Sequence, residues 1–256
     1  MMRRWLGQVG SGISLGLLIL RSEIATAQVQ ENIRQLDENI QRLMATRGCD
    51  RCDLQAAQLG GKHLERVSLQ TSDLRRANLQ FVDLSFANLR GSSLQEVDLT
   101  SAHLRGTILM GSSLRQGVLT QAVLVDAQLQ GVDLSEADLT GADLMGANLT
   151  DADLNRARLQ TVQAQGAIAL RSNFVWANLQ GANFHGADLT GANFDHADLR
   201  GADLSGANLS GANLQDALIS GAQIEGAIFC AAVMPDGTVS TQGCEAESAP
   251  TLDADR

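Results

Sequence analysis

Four cysteines are the residues of this chain best suited to do chemistry. Cys49 and Cys52 form a Cys-x-x-Cys pair, while Cys230 and Cys244 lie near the C-terminus, and four cysteines allow three disulfide connectivities. Three interpretations of the first pair remain open: a structural disulfide, two buried thiols that pack as small apolar side chains, or a redox-active dithiol. A zinc site is disfavoured because a closed site takes about four ligands, and no nearby His or Cys pair completes it.

The remaining reactive side chains do not form a catalytic constellation. The four histidines are His63, His103, His185 and His196, and the serines and threonines have no base beside them. The glycines recur at regular intervals and do not form a single phosphate-binding loop. The net charge of −10 disfavours a general affinity for nucleic acid or anionic membranes. We therefore expect no enzyme, no cofactor, no metal site and no nucleic-acid partner.

These side chains are carried by a repeat of five residues. Steps of five from Leu54 reach a large apolar residue almost every time up to Phe229, which makes 36 consecutive pentapeptides without insertion or deletion. Only Ala164 and Ala169 put a small residue at the central position. Small residues occupy the position two before the centre, Asp or Asn is frequent between the two, and Gly often follows two after the centre.

A period of five matches neither the 3.6 residues of a helix nor the 2.0 of a simple strand. A short extended piece followed by a turn satisfies it, with the large and the small side chain pointing inward and the other three outward. Gly and Asn tolerate the turn conformations. A single unit buries too little to be stable, so neighbouring units must complete one continuous core.

The repeats resemble the A-(D/N)-L-x-x signature of the pentapeptide-repeat family. Residues 142–146 (ADLMG), 147–151 (ANLTD) and 202–206 (ADLSG) carry it most clearly, and the resemblance covers roughly residues 50–231. It implies an all-β fold, a right-handed quadrilateral β-helix with four pentapeptides per coil and about nine coils. With coils roughly 4.8 Å apart, the solenoid would be about 40 Å long.

The two flanks resemble exported cyanobacterial members of this family. The segment around Cys49 and Cys52 resembles their entry motif, and Cys230, followed by the sequence MPDG at 234–237 and by Cys244, resembles their exit motif. In an oxidising compartment the economical pairing is Cys49 with Cys52 and Cys230 with Cys244. Pro-Asp-Gly also favours a turn, so a small hairpin is expected to close the last coil.

The N-terminus has the order of a secretory signal peptide. Arg3 and Arg4 precede the mostly apolar run 5–20, and Ala25-Thr26-Ala27 offers small residues at a cleavage site. The run is shorter than the roughly 20 apolar residues of a membrane span. Export to the periplasm or the thylakoid lumen is therefore predicted, with no stable membrane insertion after cleavage. The alternative is an uncleaved membrane anchor, and the export route stays open.

A short amphipathic helix is predicted between the signal and the repeats. Val29, Ile33, Leu36, Ile40 and Leu43 recur at steps of four and three. The helix would cap one open end of the solenoid, or alternatively dimerise. The predicted organisation is signal peptide 1–27, helix 28–47, solenoid 48–231, hairpin cap 232–244 and a disordered acidic tail 245–256.

The predicted surface has two uneven features. Residues 51–116 contain 8 basic and 6 acidic residues, whereas residues 117–216 contain 4 basic and 12 acidic ones. In addition, apolar residues occupy outward positions, and they make a candidate partner patch: Val118, Val123, Val125, Met145 and Trp176.

His63, Asp83 and His103 form an outward column that could act as a metal ladder. The two imidazoles would lie two rungs, or about 10 Å, apart, which favours solvated polar side chains.

The favoured function is a non-catalytic structural or protein-interaction solenoid outside the cytosol, with an unidentified protein partner. Some cytosolic members of the family resemble duplex DNA and bind type II topoisomerases, which makes DNA mimicry the first alternative. The second alternative is a redox response through Cys49 and Cys52. A homodimer through a solenoid end or the N-terminal helix is also considered.

Overall fold

A computed structural model shows one N-terminal helix followed by a β-helix solenoid. It describes the backbone of residues 9–244 and the side chains of residues 25–244. Helix α1 spans Val9–Thr46. In the part of the chain described, β-structure consists of isolated bridges and not of longer strands, from Gly48 to Val239. The predicted tail 245–256 and the first eight residues of the predicted signal peptide lie outside the described residues.

Helix α1 is longer than the predicted helix 28–47. It begins at Val9 and passes without a break through Ala25 and Ala27, so most of the predicted signal segment is helical as well. The reason is local, because the apolar run is rich in Leu and Ile and no proline separates it from the amphipathic stretch. Among the described helical residues, no stretch is long and apolar enough to cross a membrane.

Parallel bridges between residues 20 positions apart define the solenoid. They occur at every fifth residue, so each coil of 20 residues contributes to four columns. We name these columns faces 1 to 4. Face 1 runs from Asp53 to Val233, face 2 from Gln58 to Leu218, face 3 from His63 to Gln223 and face 4 from Gly48 to Ile228. The predicted column His63, Asp83 and His103 is confirmed on face 3.

Each corner between faces is a four-residue β-turn. In the first complete unit the N–H of Ala57 donates to the carbonyl of Leu54 over 3.0 Å, and Ala56, the third turn residue, has φ of 57°. Positive φ at the third residue is the signature of a type II turn. Every fifth residue from Arg51 to Ala231 has positive φ, whether or not it is glycine. Stacking therefore imposes a conformation that most of these side chains disfavour.

The interior consists of the two predicted inward columns. The central Leu and Phe residues from Leu54 to Leu214 and the small residues two positions before them are buried. Buried polar residues keep a partner, as in Ser72, whose hydroxyl donates to the carbonyl of Cys49 over 2.7 Å. Near Ala164 and Ala169, the space is taken by a cluster of buried rings at positions 174, 184 and 194. In this cluster Phe174 stacks on Phe194 at 4.8 Å between centroids.

The frequent Asp and Asn residues complete the hydrogen bonding of the backbone. Bonds between coils and the turn bond engage four of the five N–H groups in each typical unit. The fifth donates to the Asp or Asn side chain two residues earlier, as Met145 N–H does to Asp143 Oδ1 over 3.0 Å and Ser210 N–H to Asn208 Oδ1 over 3.1 Å. These are Asx turns. They provide a structural reason for the many Asp residues in the acidic half of the chain, residues 117–216.

Asp198 leads to a prediction about acid stability. The Arg200 guanidinium, which donates to both carboxylate oxygens, holds the pKa of Asp198 down at about 2. A carboxyl whose folded pKa is depressed contributes stability above its unfolded pKa of about 3.9 and loses it as pH falls toward the folded value. Asp198→Asn should lower stability at pH 7 by up to about 1 kcal/mol and flatten the dependence between pH 4 and 2.

The measurement is urea unfolding from pH 7 to pH 2. Asn should preserve the Asx turn, because Asn178 on the same face accepts the N–H of Gln180 in the same way over 3.1 Å. Asp143→Asn is the matched control, since Asp143 has no ion pair among the described residues. Parallel pH curves for wild type and Asp198→Asn would show that the Arg200 pair does not matter for stability.

The C-terminal half of α1 covers the first coil. Leu43 is fully buried, and Leu36 and Ile40 pack against the same core. The Asn39 side-chain amide donates to the carbonyl of Asp53 over 2.9 Å. The helix ends in a turn in which Arg47, with φ of 55°, donates its N–H to the carbonyl of Leu43. The apolar stripe therefore closes this end of the solenoid.

A hairpin covers part of the opposite end. Val233 and Val239 form an antiparallel bridge, and the turn between them begins at Met234, whose carbonyl accepts the N–H of Gly237 over 2.9 Å. Beyond this turn the chain passes back over the last core residue, Phe229, whose N–H donates to the carbonyl of Gln242 over 3.0 Å. The returning segment thus pairs antiparallel with the last coil, whereas successive coils pair in parallel.

Candidate interaction face and disulfide sites

Two exposed phenylalanines frame face 3 near its N-terminal end. Phe81 and Phe86 occupy the corners on either side of Asp83, and they are 62% and 54% exposed. Both have positive φ, 55° and 59°, which costs a non-glycine residue on the order of 1 kcal/mol or more. Two large apolar side chains thus face solvent on backbone that favours glycine.

Phe86 is held against the next coil. A Cβ added to Gly106, directly above it in the corner column, would lie 2.7 Å from the phenyl ring. The Cδ1 and Cε1 atoms of the ring therefore pack closely against this glycine, and the ring points toward the coils that follow. On its other side the guanidinium carbon of Arg66 lies 5.9 Å from the ring centroid, a cation–π contact. The ring of Phe86 is therefore exposed to solvent, but its contacts with Gly106 and Arg66 hold it in place.

Three of the five predicted patch residues lie together on face 3. Val125 and Met145 are on consecutive coils of one column, and Val123 is two residues before Val125. Met145 is 46% exposed, whereas the two valines are half-buried. Together with Phe81 and Phe86, these residues form what we call the apolar face.

The other two predicted residues lie elsewhere. Val118 is on face 2, where it bridges Asp98 and Asp138. Trp176 lies at the corner between faces 1 and 2, where its indole packs on the imidazole of His196 with 4.2 Å between centroids. Sequence reasoning missed Phe81 and Phe86, although the signal was present: both occupy the turn position where Gly, Arg and Gln recur.

The charges around the apolar face are largely paired. Arg105, between Phe86 and Val125, contacts Asp126 at 3.1 Å. His63 Nδ1 lies 3.4 Å from Glu65. The aspartates of the face columns are used in Asx turns, as Asp143 is. The acidic half therefore does not require DNA mimicry as its explanation.

Both cysteine pairs are disulfide-bonded, and no described cysteine is free. Cys49 and Cys52 occupy inward positions and are 0% and 5% exposed. Of the three interpretations of this pair, the structure contains the disulfide, and its burial favours a structural role over a redox one. Cys230 and Cys244, with 4.7 Å between Cα atoms, tie the hairpin to the last coil.

In the part of the chain that the structure describes, faces 2 and 3 remain open at the C-terminal end. Leu218 and Ile224 are 52% and 39% exposed. Among the described residues, nothing accepts a hydrogen bond from the N–H groups of Ile219, Gly221, Ile224 or Gly226. Unpaired edge groups beside apolar side chains are a site for self-association.

Comparison with known protein families identifies the repeat. The profile of the Pentapeptide repeats family matches eight copies, over residues 49–80, 77–116, 118–160, 162–195 and 192–230. The chain belongs to the pentapeptide-repeat family. This membership confirms the family resemblance of the sequence. A search of curated proteins gives no match.

Several solved structures of pentapeptide-repeat proteins are similar to this chain. HetL, involved in heterocyst differentiation regulation in the cyanobacterium Nostoc sp. strain PCC 7120, is 32% identical over 78% of this chain and 98% of its own, with a TM-score of 0.49. A protein of the Arabidopsis thaliana thylakoid lumen is 28% identical over 50% of this chain and 65% of its own, with a TM-score of 0.15. QnrB1, a plasmid-mediated fluoroquinolone resistance protein, is 18% identical over 65% and 88%, with a TM-score of 0.39.

Proposed function

We propose that this pentapeptide-repeat protein is a non-catalytic interaction module that acts outside the cytosol and holds a protein partner on its apolar face. The observation that carries the proposal is the grouping of Phe81, Phe86 and Met145, all largely exposed, on one side of a rigid solenoid. Exposed apolar side chains grouped on one side of a protein mark interaction sites, and aromatic residues and Met are enriched in interface cores.

We further propose a right-handed, quadrilateral solenoid of about nine coils. The spacing of 20 residues between bridged positions supports four pentapeptides per coil, and 36 repeats would fill nine coils. Each side of such a solenoid presents a flat surface of regularly spaced side chains. A surface of this shape suits docking of another protein better than enclosure of a small molecule.

Two observations support export to the periplasm or thylakoid lumen. The first is the order of basic residues, apolar run and small residues at the N-terminus. The second is the presence of two disulfides, since disulfides persist in oxidising compartments and are rare in the cytosol. The thylakoid-lumen protein among the similar structures fits this location.

Export predicts a mature protein that begins at Gln28. Cleavage after Ala27 would shorten α1 and leave Leu36, Ile40 and Leu43 to cap the solenoid. Peptide mass mapping of the protein from fractionated cells should find Gln28 at the N-terminus, outside the cytosol. Intact Met1 in a soluble cytosolic fraction would contradict export, and intact Met1 in membranes would indicate the anchored alternative.

Partner binding should depend on the apolar face. We expect the double variant Phe86→Arg, Met145→Gln to reduce cross-linking to the partner at least about tenfold, as loss of a central aromatic anchor does. The folded state should tolerate both changes, because Arg66 occupies the column of Phe86 and Gln165 that of Met145. The measurement is quantitative cross-linking in the native compartment, with the partner identified by mass spectrometry.

Trp176→Arg is the matched control. It removes an exposed aromatic residue outside the apolar face, from a corner column that contains Arg156. We expect this variant to cross-link like the wild type. If Trp176→Arg abolishes cross-linking and the double variant does not, the partner binds another side of the solenoid. Gyrase or a related topoisomerase as the cross-linked partner would instead support DNA mimicry.

A further inference from the structure

We propose that face 3 carries a binding site for a divalent transition-metal ion of the zinc class, formed by His63, Glu65, Asp83 and His103. The site lies between the rings of Phe81 and Phe86. All four side chains point outward from the solenoid, and of the four only Asp83 accepts a backbone hydrogen bond of a turn.

The potential ligands already lie close together. The bridges place His63, Asp83 and His103 on three successive coils of one column. One ligand atom from each of His63, Glu65 and Asp83 lies within 4.8 Å of the others, and His63 Nδ1 is 3.4 Å from Glu65 Oε1. Small side-chain rotations would bring these atoms to the bond lengths of about 2.0–2.2 Å that zinc makes with His and carboxylates.

Asp83 lies at the centre and is held in place. One of its oxygens, Oδ1, accepts the N–H of Ser85 over 2.9 Å, so the second oxygen can face outward. The imidazoles of His63 and His103 lie on the coils directly before and after Asp83 in the same column, so both flank the same carboxyl group.

The separation of the two histidines does not prevent shared binding. They lie two rungs apart, about 10 Å, which is too far for direct contact. An ion bound to the outward oxygen of Asp83 would lie at the level of the middle coil. Each imidazole would then have to reach across only one coil-to-coil spacing of about 4.8 Å. Glu65 approaches from the column beside His63 and supplies a fourth ligand.

The ligand chemistry selects the class of ion. Two imidazoles and two carboxylates suit Zn²⁺ and its neighbours Cu²⁺ and Ni²⁺, whereas Mg²⁺ and Ca²⁺ prefer sites made of oxygen ligands. A second cluster, Asp195, His196 and Asp216, also groups potential ligands. There Asp195 lies 2.9 Å from Nδ1 of His196 and Asp216 lies 3.9 Å from Nε2, so this cluster offers one imidazole and not two.

The test is calorimetric titration of the full chain, without a histidine tag and with its disulfides intact, with ZnCl₂. We expect one Zn²⁺ per chain and no comparable heat with MgCl₂. Asp83→Asn should weaken the binding at least about tenfold, since it removes a carboxylate while an Asn can keep the turn, as Asn183 does on the same face. His103→Gln should weaken it similarly.

Asp203→Asn is the matched control on face 3 and should bind like the wild type. Trp176 reports on the second cluster, because its indole packs on His196, so its fluorescence should not change when Zn²⁺ binds at His63. The proposal is overturned by an absence of zinc binding. It is equally overturned if Asp83→Asn and His103→Gln bind as tightly as Asp203→Asn, or if binding quenches Trp176 and is lost in His196→Gln.

Discussion

Leu144→Asp is expected to destabilise the solenoid by more than about 4 kcal/mol, the largest effect among the substitutions considered. Leu144 is 0% exposed, and the central residues of the coils on either side, Leu124 and Ala164, are 1% and 0% exposed. A carboxylate at this position would be buried without a partner, which is among the few changes that cost this much. Urea unfolding followed by circular dichroism measures the loss.

The neighbouring residue provides the control. Asp143 points outward and caps the N–H of Met145, so Asp143→Asn should change stability by less than about 0.5 kcal/mol, and Asp143→Ser should cost little more. Because a solenoid coil contacts mainly its neighbours, hydrogen exchange in Leu144→Asp should increase most in the coils around residue 144. Equal stability of the Leu144 and Asp143 variants would refute the assignment of inward and outward positions.

Cys230→Ser is expected to destabilise the C-terminal coils by roughly 3 kcal/mol. The Cys230–Cys244 bond spans a sequence separation of 14 residues, and closing a loop of about 15 residues is worth approximately that much in chain entropy. The hairpin would then depend on a few hydrogen bonds, such as the one from Phe229 N–H to Gln242. Thermal unfolding with hydrogen exchange measures both the size and the location of the effect.

Loss of the hairpin should also increase self-association. Leu218 and Ile224 are already exposed at this end, and release of the hairpin would add Phe229 and its unpaired N–H to the open edge. Cys244→Ser should behave like Cys230→Ser, since either change breaks the same bond, and the double variant should be no worse. A monomeric Cys230→Ser protein with wild-type exchange at residues 213–233 would show that packing alone protects this end.

Measurements of self-association can distinguish two surfaces that could form a homodimer, the open C-terminal end of the solenoid and helix α1. The open edge at the C-terminal end should respond to Cys230→Ser. Val29 and Ile33 are the exposed part of the α1 stripe, at 54% and 49% exposed. Self-association through these two residues should not respond to Cys230→Ser. Sedimentation of the wild type and of Val29→Gln, Ile33→Gln therefore tells which end, if either, pairs two copies.

The amino-acid sequence by itself determined which residues are buried along the solenoid, except near its C-terminal end, where the central residue Ile224 is 39% exposed. The period of five continues without a break from Leu54 to Phe229, and every coil offers its residues the same surroundings, so the register assigned the inward columns along the solenoid. Family resemblance, not periodicity, supplied the coil of 20 residues. The helical backbone of residues 9–27 was not predicted, because a pattern of charge and hydrophobicity marks a signal segment but not the backbone it adopts.

Only the tertiary structure decided the features that depend on contacts between residues 20 positions apart in the sequence. Stacking of coils forces positive φ on corners occupied by residues such as Phe81 and Phe86, against their local preference. It packs the ring of Phe86 against Gly106 and separates Trp176 from Val125 although both are outward and apolar. The same stacking brings His63, Asp83 and His103 into one column. These features arise from contacts between coils, which local sequence does not contain.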